Sequence, residues 1–208
     1  VRFVLASQSP ARLQVLRTAG IDPVVRVSGV DEDAVHASLE NPTPEHVVTA
    51  LAAAKAAAVV DWVAENHPDA VIVGCDSMLL MAGGEIVGKP KSLAVARERW
   101  LSMAGGTGDL LTGHAVIRIE NGAVVGEAAE HKSTTVRFSK ITEAELDAYL
   151  ATEESLHVAG GFTLDGFGGW FVDGIDGDHG SVIGISLPLT RRLLSAVGVA
   201  VSTLWNRG

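Results

Sequence analysis

Phe3-Val4-Leu5-Ala6-Ser7-Gln8-Ser9-Pro10-Ala11-Arg12-Leu13 is the stretch that sets the fold class. A short apolar run stops at two serines, a proline and an arginine, and a helical pattern opens at once. Ser9 is a favourable N-cap, and Pro10 suits the first helical position, where a missing N–H costs nothing. Leu13, Leu16 and Ala19 recur at helical spacing, and Gly20 can close the helix. A strand therefore feeds directly into a helix N-terminus that carries two hydroxyls and one permanent cation. Unsatisfied N–H groups and the helix dipole favour an anion there, and Arg12 can grip phosphate with two donors. A capped helix with a surface arginine would read the same way locally.

Further along, Val24–Ser28 reads as a second strand, followed by an acidic turn, Gly29–Asp33. A long alanine-rich helix is expected from Glu45 to Asn66, ended by His67-Pro68. Ala70–Gly74 is a continuous apolar run, the pattern of a buried strand. Met78–Met81 and Glu85–Val87 flank Ala82-Gly83-Gly84 as a hairpin. Leu93–Met103 and Thr142–Leu150 read as helices, the second with Glu145 at capping-box spacing from Thr142. Leu110–Glu120 and Ala123–Phe138 flank Asn121-Gly122, a strong two-residue hairpin signal. A glycine-rich stretch covers Gly160–Gly184, and Pro188–Val197 closes the pattern as a helix. Crossover helices mixed with hairpins predict an α/β fold on a mixed sheet.

The 208 residues fit one large domain, and 47% hydrophobic content supplies a sizeable core. The formal charge of −9 disfavours a nucleic-acid polymer as partner, since such proteins present a basic face. A nucleotide needs only a few local cations and is still allowed. Cys75 is the single cysteine, so no internal disulfide forms. No uninterrupted apolar run reaches the roughly 18–20 residues of a membrane span. These features predict a soluble, cytoplasmic protein with no membrane partner.

Several residues break their local pattern. Lys55 falls on the apolar stripe of the long helix, with Val48, Leu51, Val59 and Trp62. A lysine there must snorkel, pair or meet an anion. Asp76 follows the buried strand, where open α/β sheets bind ligands. It can hold a divalent cation, take a proton from water, or cap turn amides. Glu32, in the acidic turn, can join it as a metal ligand or stay solvated. Cys75 reads as a small packed hydrophobe. Pro90 holds Lys89 in an extended backbone, which would fix the direction of its side chain. The glycine-rich stretch lacks the lysine of a phosphate-binding Walker loop and fits no dinucleotide fingerprint. The seven histidines show no zinc-ligand spacing.

Taken in order, Leu5-Ala6-Ser7, Ser9-Pro10, Arg12, Asp31-Glu32, Ala54-Lys55-Ala56, Asp76, Gly88-Lys89-Pro90, Thr112-Gly113, Ala159-Gly160, Asp165-Gly166 and Gly184–Leu189 resemble the Maf-like proteins. These are nucleoside triphosphate pyrophosphatases, also called septum-formation inhibitors. The resemblance covers nearly the whole chain, and the wording of Gly160–Leu189 is similar to the actinobacterial branch. It implies one domain over 1–208 with no separable linker. The implied fold is inosine triphosphate pyrophosphatase-like, with an elongated mixed sheet, flanking helices and two lobes around a cleft. It also implies hydrolysis at the α–β phosphate bond, need for Mg2+ or Mn2+, and a homodimer.

Carried onto this chain, the resemblance makes Asp76 the proton acceptor. Ser7, Ser9, Arg12, Glu32, Lys55 and Lys89 become the polar cleft, with Asp76 and Glu32 as metal ligands. Three positions tied to base choice in the family depart from its usual residues: Ala11, Ser77 and Asp165. They leave open the subfamily preferences for thymine and uracil or for a methylated guanine. Gly105–Gly108 lacks the family's usual arginine and histidine, and Ser181 replaces an asparagine. Two other classes compete with this reading: a non-catalytic nucleotide-binding regulator of septum formation, and a phosphatase releasing orthophosphate.

Overall fold

The computed structural model describes residues 1–206. Seven strands form a mixed sheet. Strands β1 (Arg2–Leu5) and β2 (Val24–Val25) pair in parallel, and β1 also pairs in parallel with β3 (Ala70–Met81). Beyond β3 lie β5 (Thr107–Glu120), β6 (Ala123–Phe138) and β7 (Val172–Asp176), in the order β2-β1-β3-β5-β6-β7. Strand β4 (Ile86–Val87) runs antiparallel to β3, and β7 antiparallel to β6. The helices are α1 (Pro10–Thr18), α2 (Glu32–Ala37), α3 (Pro44–Ala57), α4 (Val60–Asn66), α5 (Leu93–Met103), α6 (Glu143–Leu150), α7 (His179–Ile183) and α8 (Leu187–Ala196).

The chain divides into two compact units. The first contains Val1–Asp76, Thr112–Lys132 and the chain from Gly184 on; the second contains Ser77–Leu111 and Ser133–Ile183. In the first unit both faces of the sheet are buried, as expected where parallel strands are covered on each side. Phe3, Leu5, Val71, Val73 and Cys75 point to one core with Leu16, Leu189 and Leu194. Val4, Ala6, Ala70 and Ile72 alternate to the other, with Ala52, Ala56 and Val63. The second unit is built around Trp100, which meets Phe138, Tyr149 and Phe171 edge to face. The Trp100 indole N–H donates to the Gly161 carbonyl at 2.8 Å, so the buried ring leaves no orphan donor.

Most expected elements form. Asn121 and Gly122 both adopt positive φ, 51° and 77°, as a tight turn between right-twisted strands requires. Four expectations are corrected. The second strand stops at Val25, because β1 ends at Leu5, whose carbonyl takes one last bond from Arg26 N at 3.0 Å. The acidic turn is the start of α2: Asp31 is its N-cap, with its carboxylate accepting from Ala34 N at 3.0 Å. The long helix breaks at Ala58 and Val59, where Val59 N turns back to Ala56 O before the β-branched pair Val59-Val60. Strand β3 continues past Gly74 to Met81, since β4 pairs with its far end after β1 has stopped. Asp76 therefore sits within the strand, three residues past Val73, the last residue paired with β1.

The helical stretch Pro44–Asn66 is, by length and average composition, apolar enough to cross a membrane, although Lys55, Asp61 and Glu65 interrupt its apolar residues. Val48, Leu51, Ala52 and Ala56 of α3 are fully buried in the core.

Helix α3 and strand β3 meet backbone to backbone. A Cβ added to Gly74 would lie 2.3 Å from the Ala52 carbonyl oxygen and 2.9 Å from Ala56 N. Gly74→Ala forces the helix off the strand and is expected to destabilise the protein by about 1–3 kcal/mol, read from the urea midpoint. An unchanged midpoint would mean that the helix can shift without cost.

Candidate active site

The first cluster grows from the start of α1. Ala6 N still bonds Val73 O, and the chain then leaves the sheet at buried Ser7. Ser9 is extended (φ −67°, ψ 116°) and its hydroxyl accepts from Arg12 N at 3.4 Å. Ser7 Oγ accepts from Ser9 N at 3.2 Å and from Arg12 Nη1 at 3.0 Å. Arg12 Nε donates to the Gly184 carbonyl at 2.8 Å. The guanidinium is thus held in a fixed plane at the helix N-terminus by two neutral acceptors. Ser7, Ser9 and Arg12 come together as the sequence predicts, with half-buried Ala11 beside them on α1.

The second cluster, in the same unit, joins three charged residues from three elements. Lys55 on α3 places Nζ 2.6 Å from Asp76 Oδ1 and 2.7 Å from Glu32 Oε1. Of the three fates open to Lys55, pairing is the one it takes. Asp76 is 5% exposed, and its Oδ2 is buried with no hydrogen-bond partner among the described residues. Burial raises the Asp76 pKa, Lys55 and Arg12 oppose the rise, and Glu32 adds to it. The result is a carboxylate more basic than one on the surface, aimed by Lys55. Cys75 beside it is pushed up to about 11 by burial, which keeps the thiol protonated and unreactive at neutral pH.

Among the described residues no group of three or more His, Cys, Asp or Glu is arranged to hold a metal ion. Mg2+ does not require such a cage, because one or two carboxylates plus substrate phosphates complete its shell. The orphaned Asp76 Oδ2 and half-exposed Glu32 fit a cation shared in that way.

The second unit carries Ser77, Lys89 and Asp165. Ser77 follows Asp76 on β3 and is half-buried. Lys89 is exposed between two anchored neighbours: Gly88 O accepts from Arg99 Nη1 at 2.7 Å, and Pro90 is buried. Asp165 is exposed on a loop pinned by Glu154, a residue the sequence reading passed over. Glu154 Oε1 accepts from Thr163 Oγ1 at 2.6 Å and from Gly168 N at 3.0 Å, and Oε2 from Phe167 N at 3.0 Å. A Cβ on Gly166 would fall 2.3 Å from Glu154 Oε2, so the glycine is what lets the loop close on the carboxylate.

Burial raises the Glu154 pKa, but the Thr163 hydroxyl and the two backbone N–H donors outweigh it and hold the carboxyl below its usual value. The folded pKa lies below the unfolded one. The stabilisation is therefore complete above the unfolded value and is lost as pH falls through the folded one. Glu154→Gln should lower the urea midpoint at neutral pH, with the gap to wild type closing below about pH 4. A gap that keeps its full size well below that pH would show that the charge on Glu154 contributes nothing.

The chain matches the Maf-like protein family over residues 2–197. It is 68% identical to a protein of Saccharopolyspora erythraea named nucleoside triphosphate pyrophosphatase, over 99% of this chain and 97% of that one. Proteins of the same name from Rhodococcus opacus and Nocardia farcinica are each 63% identical, over 98% of this chain and 95% and 96% of theirs. Among solved structures, the Ham1 protein of Staphylococcus aureus gives a TM-score of 0.35 at 11% identity, over 67% of this chain and 72% of that one. With the family's pattern matched along almost its full length, this chain belongs to the Maf-like proteins.

Proposed function

We propose that the chain is a nucleoside triphosphate pyrophosphatase that uses a divalent cation to cleave the anhydride between the α and β phosphates. The observation that carries this reading is Asp76: buried, held on Oδ1 by Lys55, and unpartnered on Oδ2. The name shared by the relatives supports the reaction class.

In the proposed reaction a water oxygen bonds to the α phosphorus and the bond to the bridging oxygen breaks. The bonding pair leaves with pyrophosphate, and the nucleoside monophosphate is the second product. Where Asp76 serves the water, its Oδ2 takes the proton and passes it to solvent, a role suited to its raised pKa. Arg12, Ser7, the α1 N-terminus and Lys89 bind the phosphate charge. Asp76 and Glu32 are the residues that would hold Mg2+ or Mn2+. Asp76 serves either the water or the cation, and Glu32 takes the other task. When bound, the cation polarises the phosphate oxygens and offsets their charge in the transition state. Ala11, Ser77 and Asp165 are the positions assigned to base choice. The reading includes a homodimer working in the cytoplasm.

Purified protein would be incubated with Mg2+ or Mn2+ and the common nucleoside triphosphates and ITP, with products separated. Pyrophosphate plus monophosphate is expected, with loss of turnover on chelation. Asp76→Asn is expected to lower kcat by about 10²–10⁴-fold while the protein still melts cooperatively. Orthophosphate as the product, or undiminished turnover in that variant, overturns the assignment. Saturable nucleotide binding without turnover would favour a regulatory protein instead.

A further inference from the structure

His114 is one of the seven histidines that the sequence left without a role, and it is 0% exposed in the interior of β5. It lies in the same unit as Ser7, Arg12, Lys55 and Asp76. Its Nε2 is the acceptor for the Ser186 backbone N–H at 2.8 Å, and its Nδ1 lies 3.0 Å from the Thr112 carbonyl oxygen. A backbone amide can only donate, so Nε2 is unprotonated in this arrangement. The ring proton then sits on Nδ1 and donates to Thr112 O. The imidazole is a strut between the β5 backbone and Ser186.

Ser186 is the N-cap of α8, and its hydroxyl accepts from Leu189 N at 3.2 Å. Two residues earlier stands Gly184, whose carbonyl receives Arg12 Nε at 2.8 Å. Gly184 has φ +133°, and a Cβ on it would lie 3.0 Å from Arg12 Nε, so the arginine packs against bare backbone. Ile185 between them is fully buried among Phe3, Leu5 and Leu16. Three consecutive residues are thus held at three points: by Arg12, by the core and by His114.

We propose that His114 is a positioning residue for the phosphate grip: through Ser186 and Gly184 it fixes the carbonyl that sets the plane of the Arg12 guanidinium. This rests on the reading that Arg12 binds the triphosphate. His114 itself touches no substrate. A guanidinium recognises phosphate through a planar fork of donors, so its orientation decides how many of them meet oxygen. If Ser186 loses its acceptor, the 184–186 segment can shift, and the loss falls on substrate binding before it falls on the chemical step.

The test uses His114→Leu, His114→Gln and Arg12→Ala, singly and combined, with steady-state hydrolysis and thermal melts. Leucine is of similar volume but offers Ser186 no acceptor. Glutamine carries an amide oxygen to about the position of Nε2. His114→Leu should raise KM about tenfold with kcat within about threefold, the scale of one lost charge-assisted contact. His114→Gln should recover most of the loss. In the Arg12→Ala background, His114→Leu should change KM by less than about twofold, because both substitutions act on the same contact. Should His114→Leu not fold, His114→Asn keeps a donor for Thr112 but stops short of Ser186, and the same rise in KM is expected.

A lower Tm with unchanged KM overturns the proposal, and so does the full KM rise in the Arg12→Ala background. Arg12→Ala with wild-type KM overturns instead the reading on which the proposal rests.

Discussion

Two glycines set the distance on which the first unit depends. A Cβ on Gly113 of β5 would lie 2.0 Å from Val48 O, and one on Gly74 of β3 would lie 2.3 Å from Ala52 O. Helix α3 therefore rests on both strands with no side chain between the backbones. The helix contributes Ala52 and Ala56 to this contact, four residues apart and so on one face. Lys55 is next to Ala56 on the helix, and Asp76 is two residues past Gly74 on the strand. Close backbone approach is what brings the two charged groups into hydrogen-bond contact at 2.6 Å. A bulkier residue at either glycine would push the helix away, and the ion pair would open with it.

The pair itself is poorly explained as a device for stability. Taking a carboxylate and an ammonium out of water costs several kcal/mol per ion, and their attraction repays this only with excellent geometry and full hydrogen bonding. Here the geometry is good but the bonding is incomplete, because Asp76 Oδ2 has no partner among the described residues. A protein selected for stability alone would do as well with packed apolar residues at these positions. A buried carboxylate with one anchored and one unused oxygen makes sense where the unused oxygen has a task. The Asp76 assignment rests on this imbalance of cost and bonding, and Cys75 shows the contrast. That neighbour, equally buried, carries no charge and needs no compensation.

Much of this arrangement was legible in the sequence because its signals are local. The Ser9 cap, Pro10 at the first helical position and the Asn121-Gly122 turn are decided by the conformational preferences of a few adjacent residues. Lys55 was legible because a charge on an apolar helical stripe contradicts its surroundings. Other features were not, because they depend on partners distant in sequence. His114 looks like any strand residue until Ser186, 72 residues on, comes to its ring. Gly74 reads as a strand end, although an isolated glycine in an apolar strand is a recognised sign of close approach. Glu154 carries no pattern of its own, since its partners are backbone amides of a glycine-rich loop. The break at Ala58 and Val59 has no glycine or proline to announce it. Strand β3 read as two short strands, Ala70–Gly74 and Met78–Met81, because Gly74, Asp76 and Ser77 interrupt the apolar pattern between them.

The charge balance of the Asp76 cluster constrains what can bind beside it. One lysine lies between two carboxylates, so the group carries a formal excess of one negative charge. A triphosphate brings several more. Bringing phosphate oxygens close to a buried carboxylate is electrostatically unfavourable, and more so where water is excluded. Lys55 cannot relieve this alone, because its ammonium is already shared by Asp76 and Glu32. Arg12 can draw the phosphates toward the α1 N-terminus, but that leaves the two carboxylates still opposed to the substrate. A divalent cation, if held by Asp76 and Glu32, would offset this repulsion by supplying positive charge. The protein's own charges thus give a physical reason to include a cation in the proposed reaction, even though the described residues offer too few ligands to cage a metal by themselves.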